Sequence, residues 1–323
     1  MVTLQSTTGA LVAEVDHFFL RSCHVKATLG FAIPSSVPSS VTNWWCDHST
    51  EYAFVGVSYE NQFEDIRKTF KGRYVRIYGA CDREGFYNDV IEAAWDAGVG
   101  VHALIWFGWS DPNIWKTRRD NLLGTLHSNP KAKFVTRVVQ FGSEPLYDNA
   151  LDVNDLAAQI KAAKANLSSL AIPVTISELA YGYQERAKSD LVMSAIDFVD
   201  AHMLPFFAQD ASVASQSWPD VENDINWFVK NGQGKKIYLS QVERLAFENI
   251  SRVQPNSASA VANVQQEEDY FNLLDEKCTY FKSVAGDGIG WFAHIYSEDQ
   301  EPGYGLYGSN GVLKFPFSPK TSC

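Results

Sequence analysis

Short apolar segments alternate with amphipathic segments along most of the chain, from about Tyr52 to Tyr296. The apolar segments are rich in valine, isoleucine, phenylalanine and tyrosine and have the length of β-strands. The amphipathic segments repeat their apolar residues every three or four positions, as along residues 152–170, which is the spacing of one helix face. This alternation predicts strand–helix units and therefore a parallel sheet.

The pattern predicts eight strands, with helices in nearly all of the gaps between them. Such units argue for a closed (β/α)8 barrel, or TIM barrel. A doubly wound open sheet is the alternative, but the G-x-G-x-x-G match at 303–308 has no predicted helix behind it, unlike a dinucleotide-binding motif. The predicted strands are residues 53–59, 74–78, 100–107, 134–144, 174–178, 198–205, 236–243 and 288–296.

The first part of the chain differs from the rest. Residues 34–42 form a proline- and serine-rich linker, and the residues before it show no sustained period. We therefore predict a poorly ordered N-terminal lead-in over residues 1–45. The (β/α)8 barrel with a C-terminal tail is predicted over residues 46–323.

Composition and charge exclude several classes of function. The 27 basic and 38 acidic residues give a formal net charge of −11, which repels phosphate backbones, so nucleic acid is not an expected partner. No apolar run reaches the ~18 residues needed to span a bilayer. The five cysteines show neither C-x-x-C nor zinc spacing. We expect a monomer without a metal ion or an organic cofactor.

One predicted strand, residues 134–144, ends at a carboxylate that is followed at once by a proline. Proline cannot continue the hydrogen-bonded ladder, so Glu144 is expected at the carboxyl end of this strand, just before Pro145. In a (β/α)8 barrel the active site lies at that end of the strands. Glu144 is therefore the first catalytic candidate.

Other predicted strands also end in polar or aromatic residues, and no serine elbow or metal motif accompanies them. This combination points to two carboxylates acting on a glycosidic bond. Trp106 and Trp291 could stack on sugar rings or fill the core. For Glu178, a hydrogen bond to the sugar, orientation of Glu144 and a structural role stay open. The further residues expected to converge are Arg76, Tyr78, His202, Gln241, Glu243 and His294.

Four segments carry a family resemblance: QFGSEPLY at 140–147, VTISELAYGY at 174–183, HMLPFF at 202–207 and GWFAH at 290–294. They resemble fungal members of glycoside hydrolase family 17, the β-1,3-glucanases and related cell-wall glucan enzymes. The likeness runs from about Trp44 to Cys323. It implies a (β/α)8 barrel and a retaining double displacement, with the acid/base residue on strand four and the nucleophile on strand seven.

The resemblance assigns the acid/base role to Glu144 and a sugar-lining role to Arg76, Tyr78, His202 and Trp291. It also implies an extracellular or cell-wall location. Glycosylation triplets begin at Asn166 and Asn249 and favour secretion, whereas residues 18–20 are too short for a clean signal peptide.

Two positions depart from the family pattern. Ser143 stands where the family usually has asparagine, and its hydroxyl can still hydrogen-bond a sugar. Gln241 stands at the nucleophile position, where an amide cannot form a glycosyl ester. Glu243 lies two residues further, faces the same side by the strand period, and is a candidate for the second carboxylate.

The sequence therefore leaves three interpretations open. The chain hydrolyses or remodels β-1,3-glucan with Glu144 as acid/base, or it binds β-glucan without cutting it, with Gln241 marking the lost nucleophile. In the third, residues 1–45 and 242–252 reflect an altered reading of the gene.

Overall fold

The computed structural model describes residues 25–26, 30–59, 62–79, 81–246 and 259–323. The signal-peptide region, Asn249 and residues 247–252 lie outside the described residues. Eight parallel strands close into one barrel in chain order, with the last strand pairing with the first. The predicted (β/α)8 barrel is confirmed, and the open doubly wound sheet is wrong.

The barrel strands are short and buried on both faces, because side chains fill the inside and helices cover the outside. Each strand residue is buried except Ser143, which ends the fourth strand at the mouth. The strands are β1 Ala53–Ser58, β2 Tyr74–Arg76, β3 Gly100–Leu104, β4 Thr136–Ser143, β5 Val174–Glu178, β6 Val199–Met203, β7 Ile237–Val242 and β8 Ile289–Ala293.

The helices pack on the outside of the barrel through their apolar faces. Short 3-10 turns and a two-stranded pairing of Val25–Lys26 with Gly30–Phe31 accompany them. The helices are α1 Phe63–Lys68, α2 Phe86–Ala97, α3 Ile114–Ser128, α4 Ala132–Val135, α5 Val153–Leu167, α6 Ala180–Glu185, α7 Asp190–Ala195, α8 Trp218–Asn231, α9 Val264–Glu276 and α10 Cys278–Ser283. None of the described helices is long and apolar enough to cross a bilayer.

Helix α2 shows how the sequence sets these boundaries. Its buried face carries Val90, Ile91 and Ala94 at helical spacing. The helix ends at Gly98, which adopts φ 69°, and its N–H returns to the carbonyls of Ala94 and Trp95. Glycine reaches this left-handed conformation without steric cost, so Gly98 is suited to end the helix.

A β-bulge interrupts β7 just before its end. Strand β6 pairs Ala201 with Leu239, and its next residue, His202, pairs with Gln241. Ser240 is therefore the extra residue of the bulge. As a result, the side chains of Ser240 and Gln241 both make hydrogen bonds inside the barrel.

A buried ionic network around Glu51 fills the amino-terminal end of the barrel. Tyr74 donates to Oε1 of Glu51 over 2.5 Å, and Arg137 Nη2 donates to Oε2 over 3.2 Å. Tyr238 also donates to Oε2, and Arg73 Nη1 lies 3.6 Å from Oε1. Burial raises the pKa of Glu51, but the charge of Arg137 and its other partners outweighs burial and holds the pKa well below its usual range.

The described part of the predicted lead-in packs against the barrel. Phe31 and Trp44 are buried, and Trp44 Nε1 donates to the carbonyl of Phe134 over 2.6 Å. The indole of Trp44 stacks on Trp95 with 6.0 Å between ring centroids. Phe31 and Trp44 therefore belong to the hydrophobic core on the outside of the barrel.

The cysteines fall into two groups. A disulfide joins Cys278 in α10 to Cys323, with 6.0 Å between their Cα atoms, and so fastens the end of the chain to a helix. Cys46 is also disulfide-bonded, whereas Cys81 is a free, half-buried thiol.

Candidate functional site

A cavity of about 850 Å³ opens at the carboxyl ends of β4, β5 and β6. Glu144 lies in its wall, together with the exposed rings of Tyr147 and Tyr181. The half-buried Phe207 and Asp224 line it further out. Aromatic rings beside a few carboxylates are suited to a ligand that has apolar faces and many hydroxyl groups.

The backbone at the end of β4 turns Glu144 towards this cavity. Glu144 has φ 54°, in the left-handed region that residues with a side chain rarely adopt. Its N–H donates to the carbonyl of Ser177 over 2.7 Å, which fixes the turn to β5. Such backbone conformations persist where the surrounding contacts enforce them, and they concentrate at functional sites.

Glu144 forms a short hydrogen bond with His202, the histidine that lies at the end of β6. The distance between Glu144 Oε1 and His202 Nδ1 is 2.7 Å. Burial raises the pKa of the carboxyl, but the hydrogen bond from His202 and the charge of Arg76 hold it below its usual value. Burial lowers the pKa of His202. Glu144 is thus an ionised carboxylate beside a neutral imidazole.

Arg76 lies inside the barrel beneath Glu144, with its guanidinium fully buried. Its partners are neutral, and among the described residues no carboxylate lies within 4.0 Å of it. Burial lowers the pKa of Arg76. The partners are Gln140 at 3.1 Å, Gln241 at 3.1 Å, Ser143 at 3.2 Å, Ser177 at 3.3 Å and His202 at 3.3 Å.

Gln241 connects Arg76 to the second candidate carboxylate. Its Oε1 accepts from Arg76, and its Nε2 donates to Glu243 Oε2 over 3.1 Å. Glu243 follows directly after β7, is buried, and also lies 3.2 Å from His294 Nε2. Burial, and then the charge of Glu301, raise the pKa of Glu243 well above its usual range. Burial therefore favours the protonated form of Glu243.

One carboxylate at this site, Glu301, lies beyond the last predicted strand. Glu301 lies in the loop after β8, where its Oε2 is 2.8 Å from His294 Nε2 and its carboxylate accepts a hydrogen bond from Tyr78. Burial acts against ionisation, but the hydrogen bond from His294 outweighs it, and the pKa of Glu301 is lowered. The available signal was the Glu301–Pro302 pair, which repeats the glutamate–proline step at Glu144.

Glu178 lies beneath the loop that follows β4 rather than in the cavity wall. Its buried carboxyl accepts hydrogen bonds from the backbone N–H groups of Leu146 at 2.7 Å, Tyr147 at 3.2 Å and Leu179 at 2.8 Å. Burial, and then the negative charge of Glu144, raise the pKa of Glu178 to about 8. Of the roles left open by the sequence, this geometry fits the positioning of the Glu144 loop.

The two candidate tryptophans occupy different places. Trp291 is fully buried on the helix side of β8, where its ring lies 5.1 Å from Phe54 and 6.1 Å from Phe271, so it does not face the cavity. Trp106 follows β3 at the barrel mouth, and the Arg118 guanidinium lies 5.1 Å from its ring. The predicted residues that the structure brings together are Arg76, Tyr78, Ser143, Glu144, His202, Gln241, Glu243 and His294.

The site contains two carboxyls whose pKa values are shifted in opposite directions. The pKa of Glu144 is lowered, the pKa of Glu243 is raised, and the charge of Glu144 contributes to the rise at Glu243. Environments that push two carboxyl pKa values apart are typical of acid/base catalysis. No cluster of three or more His, Cys, Asp or Glu side chains suited to a metal occurs in the described part of the chain.

Comparison with known families gives one match. Residues 56–243 match the family described as the BtgE/BtgC glycoside hydrolase domain. The matched stretch begins in β1 and ends at Glu243, so it contains seven of the eight barrel strands wholly or in part, together with Glu144. No curated protein matches the chain.

Solved structures share the fold. An active-site mutant of Rhizomucor miehei β-1,3-glucanosyltransferase in complex with laminaritriose is 18% identical, with a TM-score of 0.64 over 84% of this chain and 99% of that chain. The glycoside hydrolase family 17 β-1,3-glucanosyltransferase from Rhizomucor miehei is 17% identical, with a TM-score of 0.61 over 85% and 99%. Faecalibacterium prausnitzii β-glucuronidase is 12% identical, with a TM-score of 0.56 over 84% and 48%. At these identities the likeness shows the fold alone.

Proposed function

Because the chain belongs to the BtgE/BtgC glycoside hydrolase family, we propose that it cleaves β-1,3-glucan of the cell wall, with Glu144 as acid/base residue. The observation that carries this proposal is the placement of Glu144 in the wall of the cavity, fixed by its left-handed backbone and by His202. The two Rhizomucor miehei structures of the same fold are of a β-1,3-glucanosyltransferase, and one of them, an active-site mutant, is in complex with laminaritriose, which supports this substrate.

The second carboxyl in this proposal is Glu243. Glycoside cleavage needs one carboxyl that protonates the leaving oxygen and one that attacks the sugar or activates water. The opposite pKa shifts of the two carboxyls favour the proton on Glu243 rather than on Glu144. Acid catalysis by Glu144 therefore requires transfer of this proton from Glu243 to Glu144, which also leaves Glu243 ionised for attack on the sugar or activation of water.

The release of reducing ends from laminarin tests the proposal. Wild-type protein should release reducing ends, and Glu144→Gln, which keeps the shape but cannot exchange the proton, should abolish the release. Glu64→Gln is the matched control because Glu64 is exposed on α1 and does not line the cavity. Equal release by wild type and Glu144→Gln would refute the role of Glu144. Products longer than the substrate would indicate transfer rather than hydrolysis.

Gln241 is the observation that favours a second candidate, a barrel that binds β-glucan without cutting it. Its amide occupies the place beside Arg76 where the resemblance expects the nucleophile. This candidate predicts measurable affinity for laminari-oligosaccharides by calorimetry and no release of reducing ends. An absence of binding would exclude it together with the enzymatic proposal.

We propose an extracellular or cell-wall location for a monomeric protein. The Cys278–Cys323 disulfide and the disulfide-bonded Cys46 support an oxidising compartment. Asn166 is exposed near the end of α5 and accessible to a glycosyltransferase, although it also contacts His127. Western analysis of secreted and cell-associated fractions, with and without deglycosylation, tests the location.

A further inference from the structure

Trp109 is the most exposed large hydrophobic residue among those described. Its side chain is 81% exposed, in the loop between β3 and α3. An indole ring stabilises a fold or a complex most when it is buried. An exposed indole at the mouth of a barrel therefore calls for an explanation. The loops at this end of the barrel carry the candidate site.

The ring of Trp109 rests on a rigid support. It lies 5.6 Å from the ring of Trp106 at an angle of 79°, an edge-to-face contact. Arg118 packs 5.1 Å from the Trp106 ring and donates to the Trp106 carbonyl over 3.1 Å. Asp82 holds Arg118 by two hydrogen bonds of 2.7 Å each. The left-handed Gly108, φ 76°, lets the loop approach Arg118, since a Cβ there would lie 3.1 Å from its Nη1.

The support places this pair of rings beside the candidate site. His102 faces the barrel interior, where it contacts Asp200, and the two-residue period places Trp106 on the same side above it. Strand β3 is the neighbour of β4, which ends at Glu144. The cavity extends from Glu144 over the loops after β5 and β6. The Trp106–Trp109 pair therefore flanks Glu144 on the opposite side.

We propose that Trp106 and Trp109 form a second sugar-binding platform, which stacks glucosyl units of a β-glucan chain beyond those held in the cavity. This inference rests on the proposed function. The hydrogens on the ring carbons of a β-linked glucosyl unit point axially, so both faces of the sugar are apolar and can lie on an indole. Its equatorial hydroxyls point outward, where the exposed carboxylates of Asp82 and Asp111 can accept hydrogen bonds.

The surroundings of the platform favour a sugar over a protein partner. Trp109 is flanked by the exposed and polar Asp111, Asn113 and Lys116, with no other exposed large hydrophobic residue in the described part of this loop. A stable protein interface needs ~1,000 Å² of well-packed surface with an apolar centre. A single supported ring with a charged rim is instead matched in size to one or two sugars.

Calorimetry with short and long glucan chains tests the platform. Laminaritriose and laminariheptaose are titrated into Glu144→Gln protein, in which the ligand stays intact. The double variant Glu144→Gln/Trp109→Ala should bind the heptaose about tenfold more weakly than Glu144→Gln alone, which is the upper range for one stacked aromatic contact. Its affinity for the triose should be unchanged. Trp109→Phe should retain most of the heptaose affinity. Val312→Ala, an exposed residue in the C-terminal segment, is the control and should change neither ligand.

The possible results separate this inference from the proposed function. If Glu144→Gln protein binds both ligands and Trp109→Ala alters neither, the platform is refuted and the proposed function stands. If the protein binds neither ligand, both are refuted. Equal weakening of both ligands would place Trp109 in the main cavity and overturn a separate platform. Sedimentation that shows a dimer dissociated by Trp109→Ala would assign the ring to a second copy of the chain instead.

Discussion

His202 donates the proton on its Nδ1 to Glu144, and Arg76 determines that this nitrogen carries it. Arginine only donates, and its Nη2 lies 3.3 Å from His202 Nε2, so Nε2 must present its lone pair. The Ser177 hydroxyl contacts the same nitrogen. The proton therefore resides on Nδ1, 2.7 Å from Glu144 Oε1, and the buried arginine indirectly keeps Glu144 an acceptor.

This relationship predicts the pH dependence of activity. In His202→Ala, Glu144 loses the hydrogen bond that lowers its pKa and keeps the burial that raises it, so its pKa should rise. The acid limb of the kcat/KM profile, which reports the free enzyme, should move to higher pH by the same amount. His127→Ala, on the exposed face of α3, is the control and should leave the profile in place. An unmoved acid limb in His202→Ala would contradict the assignment.

Gln241 offers a gain-of-function test. Its Oε1 already accepts from Arg76 Nη1 over 3.1 Å, so a carboxylate at this position would form an ion pair with that buried cation. Gln241→Glu should raise the rate of glucan cleavage at least about a hundredfold, because nucleophile and counter-charge are then both present. An activated fluoro-sugar should trap a covalent ester at position 241, located by mass spectrometry. Gln241→Ala provides the control without a carboxylate.

A rate unchanged from wild type in Gln241→Glu, with the fold intact by circular dichroism, would show that the β7 bulge holds this position away from the sugar.

The Glu243 carboxyl can be tested by an isosteric change. Glu243→Gln keeps a group that can contact Gln241 and His294 but removes the exchangeable proton, so kcat should fall at least about a hundredfold with little change in melting temperature. Glu301→Gln is the informative comparison, because Glu301 reaches the site through His294 and Tyr78. If Glu243→Gln keeps full activity and Glu301→Gln loses it, the role of second catalytic carboxyl belongs to Glu301 instead.

Glu178 predicts how the stability of the fold depends on pH. Its folded pKa of about 8 lies above the ordinary value of 4.5, so between these pH values the folded state binds more protons than the unfolded state. The free energy of unfolding should therefore fall as pH rises through this window, by up to about 1.4 kcal/mol per pH unit. Glu178→Gln should lack this part of the slope in urea unfolding. Parallel slopes for wild type and variant would refute the prediction.

Gly182 tests the positioning role of Glu178. A Cβ at Gly182 would lie 2.4 Å from Glu178 Oε1, so Gly182→Ala must displace the carboxyl that holds the backbone of Leu146 and Tyr147. Because those residues follow Glu144 directly, kcat should fall about tenfold or more while KM changes little. Gly124→Ala is the control, since a Cβ at this helical glycine meets no atom within 4 Å. An unchanged kcat in Gly182→Ala would argue against the positioning role.

The sequence predicts the barrel because each strand contains enough β-branched and aromatic residues for its period to be recognised. Glu144 and the converging side chains follow from strand ends alone. Trp291 lies three residues before His294. Because side chains alternate along a strand, this odd spacing predicts that the two side chains lie on opposite faces of β8. The burial of Trp291 against Phe54 and Phe271 is the outcome.

Other features depend on contacts that a linear pattern does not contain. No glycine or proline marks the bulge at Ser240, which arises from the pairing of β7 with both of its neighbours. Glu301 lies beyond the last predicted strand, and its role comes from His294 across the loop. Phe31 and Trp44 belong to the core because α2 and α4 offer them a surface, although their own segment shows no period.

The lack of a direct ion pair at Arg76 within the described part of the chain bears on which inhibitors this protein accepts. During glycoside cleavage the sugar ring acquires positive charge, and a buried guanidinium with no described carboxylate within 4.0 Å opposes that build-up by Coulomb repulsion. Iminosugars, which are positively charged mimics of the ring, should therefore bind more weakly than uncharged lactone mimics. In Gln241→Glu, where the arginine gains a counterion, this order of inhibitor affinity should reverse.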